Sequence, residues 1–256
     1  MTRAFPLLAG EATVAAVRAV TPAMVGVRLH HPAFADPGIE HPGEILTLGW
    51  PTGDEALVLP QDGWRFPAGT PEQHWRNFTV RRFDRRAATI DVDVFLHGGP
   101  GRATAWAVGA QPGDTIGFAG PRTHWVPVAE ARWTLLVADE TGLPALLAIL
   151  ETLPAGHRAF AVAEVIDDAE CQDLHSAADV ELRWVTRDGA PPGTTTALSD
   201  AVRALALPAG PGQAWGGGEA MSMRDVRRHL TGACPALAQS TKILGYWKHR
   251  DAPDDA

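Results

Sequence analysis

Apolar and polar residues alternate along the first half of the chain. Beyond about residue 132 they gather into unbroken apolar runs separated by helical stripes. Alternation is the mark of strands with one covered face. It is cleanest in 89–96, where Ile90, Val92, Val94 and Leu96 share one face and Thr89, Asp91, Asp93 and Phe95 the other, so this stretch is expected to be a half-buried antiparallel strand. Val25, Val27 and Leu29 alternate in 24–29, and Ile45, Leu46 and Leu48 less regularly in 44–49. Short strands are further expected at 11–20, 56–59, 76–83 and 115–118, with Pro, Gly and Asp between them. Segment 60–75 carries Pro60, Gly63, Pro67, Gly69 and Pro71 and reads as a long loop. Many short strands divided by turn residues predict a small antiparallel barrel.

The period then changes. Trp133 to Ala138 is apolar throughout, as central parallel strands are. Leu143, Leu146, Leu147, Leu150 and Leu153 form one helical stripe, with Pro144 suited to the first turn. Strands at 159–166, 181–185, 213–217 and 242–247 alternate with helices at 195–207 and 220–230. This order predicts a parallel sheet with helices on both faces. The expected division is 1–128 for the barrel and 129–256 for the α/β domain with its C-terminal tail, the linker lying near 126–132.

Composition narrows the function. A formal net charge of −8 argues against nucleic acid and anionic membrane surfaces as partners, so an anionic ligand would need a local basic cluster. Cys171 and Cys234 lie too far apart for a C-x-x-C pair or an iron–sulfur set, and read as small buried hydrophobes. The patch Leu7-Leu8-Ala9 is too short for a signal-peptide core, and no run approaches the roughly 20 apolar residues of a membrane helix. The reading is a cytoplasmic protein, monomeric or weakly oligomeric. None of the ten histidines belongs to a recognisable metal-ligand set: His30-His31 is expected to be a loop pair, and His74, His124 and His249 stand alone.

Candidate chemistry begins at Arg76-Asn77-Phe78-Thr79-Val80-Arg81. On a strand, Arg76 and Phe78 share one face, and Thr79 and Arg81 the other unless the strand bends. A cation, a flat ring and a small hydroxyl suit the pyrophosphate, tricyclic ring and polar edge of a flavin dinucleotide. The next strand runs into His97-Gly98-Gly99-Pro100-Gly101-Arg102-Ala103-Thr104-Ala105-Trp106. Glycines let backbone approach a ligand closely, and a helix opening at Arg102 would offer free N–H groups to phosphate; a plain glycine-rich hairpin turn explains the loop equally. In the second half, Asp139-Glu140-Thr141-Gly142 and Gly216-Gly217-Gly218-Glu219 follow strands and lead into helices, where dinucleotides bind in such sheets. Close helix–strand packing would explain the same glycines.

The order of these segments resembles the siderophore-interacting protein family, flavin-dependent ferric-siderophore reductases of the ferredoxin reductase superfamily. Three later stretches carry the likeness on: Asp139-Glu140-Thr141-Gly142-Leu143-Pro144-Ala145, Trp215-Gly216-Gly217-Gly218-Glu219 and Gly245-Tyr246-Trp247-Lys248. The resemblance runs from about residue 10 to about residue 250. It implies a ferredoxin reductase-type FAD-binding barrel followed by an α/β domain for a nicotinamide nucleotide. Electrons would pass from NADH or NADPH, with ferredoxin as an alternative donor, through FAD to ferric iron in a siderophore. Iron would be held by the chelator with no protein ligand, and reduction to Fe(II) would loosen it, because the lower charge weakens hard oxygen ligation.

By the same resemblance, Arg76, Phe78, Thr79, Arg81, His97, Gly98, Gly101, Ala103, Thr104 and Trp106 would face the flavin, Thr79 orienting it for hydride transfer. Asp139, Thr141, Gly217, Gly218 and Glu219 would meet the nicotinamide nucleotide. Arg122, Trp247, Lys248 and Arg250 would contact the siderophore; Arg82 reads as a solvated surface charge. Arg183 and Arg187 are the candidates for a 2′-phosphate. Three residues depart from the family pattern: Phe78 stands where Tyr is usual, Thr47 where many members carry lysine, and Arg102 where Pro often sits. The missing lysine puts a triscatecholate substrate in doubt. A general flavin reductase or electron-transfer protein, and a flavin-containing siderophore-binding protein without turnover, are the competing functions.

Overall fold

The structure is a computed structural model describing residues 8–36, 38–51, 56–61, 64–97, 101–234, 237 and 240–249. The chain divides into two compact units, 1–124 and 125–256.

The first unit holds seven antiparallel strands, β1 (Leu8–Thr21), β2 (Met24–His30), β3 (Ile45–Pro51), β4 (Gln73–Thr79), β5 (Arg82–Asp84), β6 (Thr89–Phe95) and β7 (Thr115–Arg122). Their order in the sheet is β4-β3-β7-β1-β2-β6-β5. The two outermost strands are consecutive in the chain, so the sheet curls round on itself as a barrel does. The inward residues of β1, β2, β3, β6 and β7 form one core around Val27, Leu29, Phe34, Leu46, Leu48, Ile90, Val92 and Phe118.

Five expectations for this unit need correction. The single strand expected at 76–83 is two. After Thr79 the chain leaves β3 and joins β6: the Val80 N–H donates to Glu44 O (2.7 Å) and the Arg81 N–H to Asp91 O (2.9 Å). Residues 56–60 are not a strand; the Gln73 side-chain amide pairs with the Val58 backbone in both directions (2.5 and 3.1 Å), satisfying it without a ladder. The strand expected at 115–118 runs on to Arg122 as β7, Gly120 taking a φ of +134° where it approaches Ile45 O. Finally, β6 is covered on both faces. Asp91 accepts two bonds from Arg28 (2.7 and 2.8 Å), and Asp93 one from Arg18 (3.1 Å), with Arg81 3.7 Å away. Arginine stems thus bury the polar row that alternation alone assigns to solvent. His31, expected in a plain loop, is instead packed on Phe34 and Phe118 and accepts from the Ala33 N–H through Nδ1.

The second unit is a fully parallel sheet of β8 (Trp133–Ala138), β9 (Arg158–Val165), β10 (Asp179–Thr186), β11 (Gly212–Glu219) and β12 (Thr241–Trp247), in the order β10-β9-β8-β11-β12. The strand order reverses between β8 and β11, and this is the topological switch point. The helices of this unit are α2 (Leu143–Thr152), α3 (Ala197–Arg203) and α4 (Ala220–Ala233); α1 (Arg102–Gly109) belongs to the barrel. Hydrophobic clusters lie on both sheet faces, one around α2 and Trp215, the other around α3, α4 and Phe160. Helix α3 is shorter than the 195–207 its stripe suggests. Cys171 and Cys234 are free and only half-buried, at the edges of these two clusters.

Gly142, which begins α2, lies so close to Gly217 that a Cβ there would collide with the Gly217 carbonyl oxygen. Backbone cannot yield as a flexible side chain can. Gly142→Ala is therefore expected to cost about 1–3 kcal/mol of stability, read as a lowered midpoint in denaturant unfolding.

Candidate functional site

In the barrel, β4 presents Arg76 and Phe78 on one face. Arg76 is exposed, and its Nη1 donates to the neighbouring Trp75 carbonyl (2.9 Å); no carboxylate pairs with it among the described residues. Phe78 is half-buried at the rim of the core. Trp50, at the end of β3, sets its ring centroid 6.2 Å from Phe78 and 5.6 Å from Trp106 of α1, both edge to face. Trp50 was not singled out in the sequence, although its two-residue spacing from Leu48 puts it on the face of Phe78. Thr79 ends β4 at 5% exposure, its hydroxyl without a partner among the described residues.

Helix α1 begins at Gly101, which supplies no side-chain cap. Its first N–H groups are therefore not satisfied by a cap residue. The His97 ring lies against Gly101, where a Cβ would stand 2.9 Å from Nε2. Three buried polar atoms on this aromatic face lack a hydrogen-bond partner: Thr104 Oγ1, Trp106 Nε1 and Trp50 Nε1. Each such atom costs about 1–3 kcal/mol if it stays unmatched, so the face is suited to a ligand rich in acceptors. Ala103 lies half-buried in the first turn beside them. Gly98 lies outside the described residues. Arg81 takes a different position from its neighbours: it is buried, and its guanidinium faces Asp93.

At the switch point of the second unit, Asp139 accepts five hydrogen bonds. Oδ1 takes the Thr141 N–H (2.8 Å), the Thr141 hydroxyl (2.6 Å) and the Gly142 N–H (3.3 Å). Oδ2 takes the Glu219 N–H and the Trp247 indole N–H, both at 2.8 Å. Glu219 in turn caps α4, accepting from Met221 N–H (2.7 Å) and Ser222 N–H (2.9 Å), while its other oxygen accepts from His249 N–H (3.3 Å). Gly217 packs under the Tyr246 ring, and Gly218 against the Asp139 carboxylate. All five residues expected to meet a nicotinamide nucleotide thus have partners within the protein, and the glycines serve close packing. Tyr246 closes the core beside Trp215, and burial raises its hydroxyl's pKa. Lys248 is exposed, and Arg250 lies outside the described residues.

Both arginines considered for a 2′-phosphate are engaged elsewhere. Arg183 pairs with Glu181 (2.6 Å). Arg187, its side chain fully buried, holds Glu140 through two bonds (2.6 and 2.8 Å) and Glu164 at 3.4 Å. Burial opposes the charge on Arg187, but the two carboxylates outweigh it and keep the guanidinium charged. Burial raises the pKa of both Glu140 and Glu164 by more than the shared Arg187 guanidinium lowers it. This triad was missed in the sequence, since its members come from the ends of three different strands.

In the first unit, Arg122 at the end of β7 is exposed. It donates to Thr47 Oγ1 (3.0 Å) and Asn77 Oδ1 (2.5 Å) and stands 5.8 Å from the Trp64 ring centroid. Arg82 is exposed on β5.

A seven-stranded antiparallel unit followed by a doubly wound parallel unit is the fold of the ferredoxin reductase type. A ferredoxin NADP+ reductase from Neisseria gonorrhoeae has the same fold, with a TM-score of 0.66 at 15% identity over 93% of this chain and 99% of its own. The family described as Siderophore-interacting FAD-binding domain matches residues 13–125, and Siderophore-interacting protein matches 131–250. A siderophore utilization protein from T. fusca superposes with a TM-score of 0.88 at 33% identity, covering 100% of this chain and 98% of that one. An NADPH-dependent ferric-chelate reductase of Escherichia coli is 30% identical over 207 residues, 78% of this chain and 77% of its own. An uncharacterized protein of Mycobacterium tuberculosis is 35% identical over 182 residues, 68% of this chain, and the match spans 64% of that relative's length. The chain belongs to the siderophore-interacting protein family.

FAD is the cofactor of this family's N-terminal domain. The uncapped α1, Arg76 with no carboxylate partner among the described residues, the Phe78 ring and the orphaned donors of Trp50, Thr104 and Trp106 fit such an anionic, planar, acceptor-rich group.

The buried triad makes stability depend on pH. Between the ordinary carboxylate range and the raised values of Glu140 and Glu164, the folded protein holds more protons than the unfolded chain. Stability should fall as pH rises through that window. Glu164→Gln is expected to flatten this decline, whereas Arg187→Met, which strands two buried carboxylates, should cost about 3–5 kcal/mol near neutral pH. Thermal unfolding of both variants from pH 4 to 8 checks the pair.

Proposed function

We propose that the protein is an FAD-dependent ferric-siderophore reductase that draws electrons from NADH or NADPH and releases iron as Fe(II). The observation that carries this reading is the face that groups the exposed Arg76, the edge-to-face rings of Phe78, Trp50 and Trp106 and the uncapped start of α1, in a chain matched by the family over both units. FAD, when bound, would supply the chemistry that couples a two-electron nicotinamide donor to a one-electron ferric acceptor.

The protein's own residues bind and orient. Arg76, free of any competing carboxylate among the described residues, is the diphosphate's cation. The first N–H groups of α1 give it further donors, with Arg102 at the helix start as added positive charge. Phe78 would offer its ring to the flavin, without the hydroxyl of the usual Tyr. Thr79 would reach the polar ring edge only from the bend that ends β4, since alternation puts it on the face opposite Phe78; from there its hydroxyl would help fix the face at which hydride arrives. Arg81 has a positioning part: its pairing with Asp93 holds the bend just after Thr79. His97 shields the start of α1, packed on Gly101. In the second unit, Asp139, Thr141, Gly217, Gly218 and Glu219 shape the surface that a nicotinamide nucleotide would meet, chiefly through backbone they hold in place. Arg183 and Arg187, both engaged with glutamates, give a 2′-phosphate no cation, so Arg183→Ala should leave the KM for NADPH unchanged. Lys248 is a candidate cation for the chelate in its own unit.

A second reading, a flavoprotein that binds a siderophore without turnover, gains from the internal saturation of Asp139 and Glu219. The two readings separate by spectroscopy. The purified protein should be yellow and should bleach anaerobically with NADH or NADPH. A ferric hydroxamate should then restore the colour. Bleaching by neither nucleotide favours the binding reading, and a protein that takes up no FAD overturns both. Arg76→Ala should weaken FAD binding by about 10- to 100-fold, the loss of a charge-assisted phosphate contact, measured by flavin fluorescence titration.

A further inference from the structure

Helix N-termini at a topological switch point hold diphosphates because their first N–H groups are free and glycines leave room for the ligand. In the second unit the protein's own groups use up both. At the head of α2, the Thr141 N–H, the Gly142 N–H and the Thr141 hydroxyl all donate to Asp139 Oδ1 (2.8, 3.3 and 2.6 Å). Pro144, in the first turn, has no N–H to give. At the head of α4, the Met221 and Ser222 N–H groups donate to Glu219 Oε2 (2.7 and 2.9 Å), and the Glu219 N–H donates to Asp139 Oδ2 (2.8 Å). Each carboxylate stands where a phosphate oxygen would, and both residues are buried, at 3% and 2% exposure.

The space is used as well. A Cβ on Gly142 would meet the Gly217 carbonyl oxygen, one on Gly217 the Tyr246 ring (2.9 Å) and one on Gly218 the Asp139 carboxylate (2.9 Å). These glycines admit protein atoms, not a ligand. Beside them runs a strap, the segment 187–196 between β10 and α3. Arg187 anchors its near end to Glu140, and Thr195 its far end to Glu164 (3.4 Å). Between the anchors lies Gly193, at a φ of +75°, where a Cβ would stand 2.7 Å from Glu219 Cγ and 3.1 Å from the Trp247 ring. The strap thus reaches from β10, at the edge of the sheet, past the ends of β9 and β8 to those of β11 and β12.

We propose that Asp139, Glu219 and the strap restrict recognition of the electron donor to its dihydronicotinamide half. The second unit has no seat for the ADP-ribose half, so reduced nicotinamide mononucleotide serves as well as NADH or NADPH. The proposal rests on the reductase reading and names the donor class for it. To seat a diphosphate, the protein would have to strip a buried carboxylate of its hydrogen bonds and leave it beside a like charge, which offsets what the phosphate gains. Arg183 and Arg187, held by glutamates, give the 2′-phosphate no advantage either. The chemistry is the same for every such donor: its C4–H bond breaks, the hydride leaves with both electrons for the flavin, and the ring departs as a pyridinium cation.

Two measurements on the whole protein loaded with FAD test this. In anaerobic stopped-flow mixing, the second-order rate constants for bleaching by NADH, NADPH and reduced nicotinamide mononucleotide should agree within about threefold. A dinucleotide seat would instead slow the mononucleotide by about tenfold or more, because the binding energy of the remote half would be lost. In calorimetric titration, which needs no electron transfer, ADP-ribose should show a Kd above about 1 mM. Asp139→Gly, which frees the Thr141 and Gly142 N–H groups, should gain affinity for ADP-ribose, and NADH should then overtake the mononucleotide. A wild-type Kd for ADP-ribose well below that level, a mononucleotide about tenfold slower than NADH, or a folded Asp139→Gly protein with no gain would each overturn the proposal. Should that variant not fold, the two wild-type measurements decide. Bleaching by none of the three donors would end the reductase reading, and the ADP-ribose titration would still decide whether the seat exists.

Discussion

Two backbone hydrogen bonds decide where the first sheet turns. Val80 N–H to Glu44 O and Arg81 N–H to Asp91 O hand the chain from β3 to β6 within one residue. Everything proposed for the barrel follows from that transfer. It ends β4 at Thr79, keeps Arg76 and Phe78 on a face beside Trp50 and α1, and lets the sheet's two outer strands follow each other in the chain. The transfer is secured by charge. Arg81 is buried against Asp93, and Asp93 also holds Arg18. Burial raises the Asp93 carboxyl's pKa while both arginines pull it down. A charge that has lost its water is tolerated here because the opposing cations lie on either side of it.

The two faces of β4 divide the work. One combines an unpaired cation with an aromatic wall and orphaned donors, and it suits a dinucleotide. The other carries Arg122, bonded to Thr47 and Asn77, and a second aromatic wall around Trp64. Alternation along a single strand is enough to separate them. Position 77 belongs to the second face, so Asn77, in the middle of the motif, has no part in the cleft that its neighbours line.

Much of the architecture was legible from period alone. The unbroken run at 133–138 became the central parallel strand, and the leucine stripe after it became α2. Arg76, Phe78 and Thr79 could be picked out because their chemistry is local to four residues. What could not be read depends on partners far away in the chain. The break at Val80 depends on backbone groups of residues 44 and 91. The burial of Asp91 and Asp93 depends on arginines of β1, β2 and the bend, where alternation by itself predicts solvent. The Gln73 amide that replaces a strand at 56–59 gives no periodic signal. Asp139 read as a ligand because it follows a strand at the switch point, yet its partners lie 80 and 108 residues further on. A motif's position announces a site; only the finished contacts show whether its atoms are free.

The Asp139 carboxylate acts as a rivet through three loops, one after β8, one at the head of α4 and one at the tail of β12. Because the Trp247 indole is fixed to it, the last strand is built into the middle of the second unit. Removing that tryptophan would slacken a turn formed more than a hundred positions earlier, so a loss at residue 247 would be felt at residue 139 and at the head of α4.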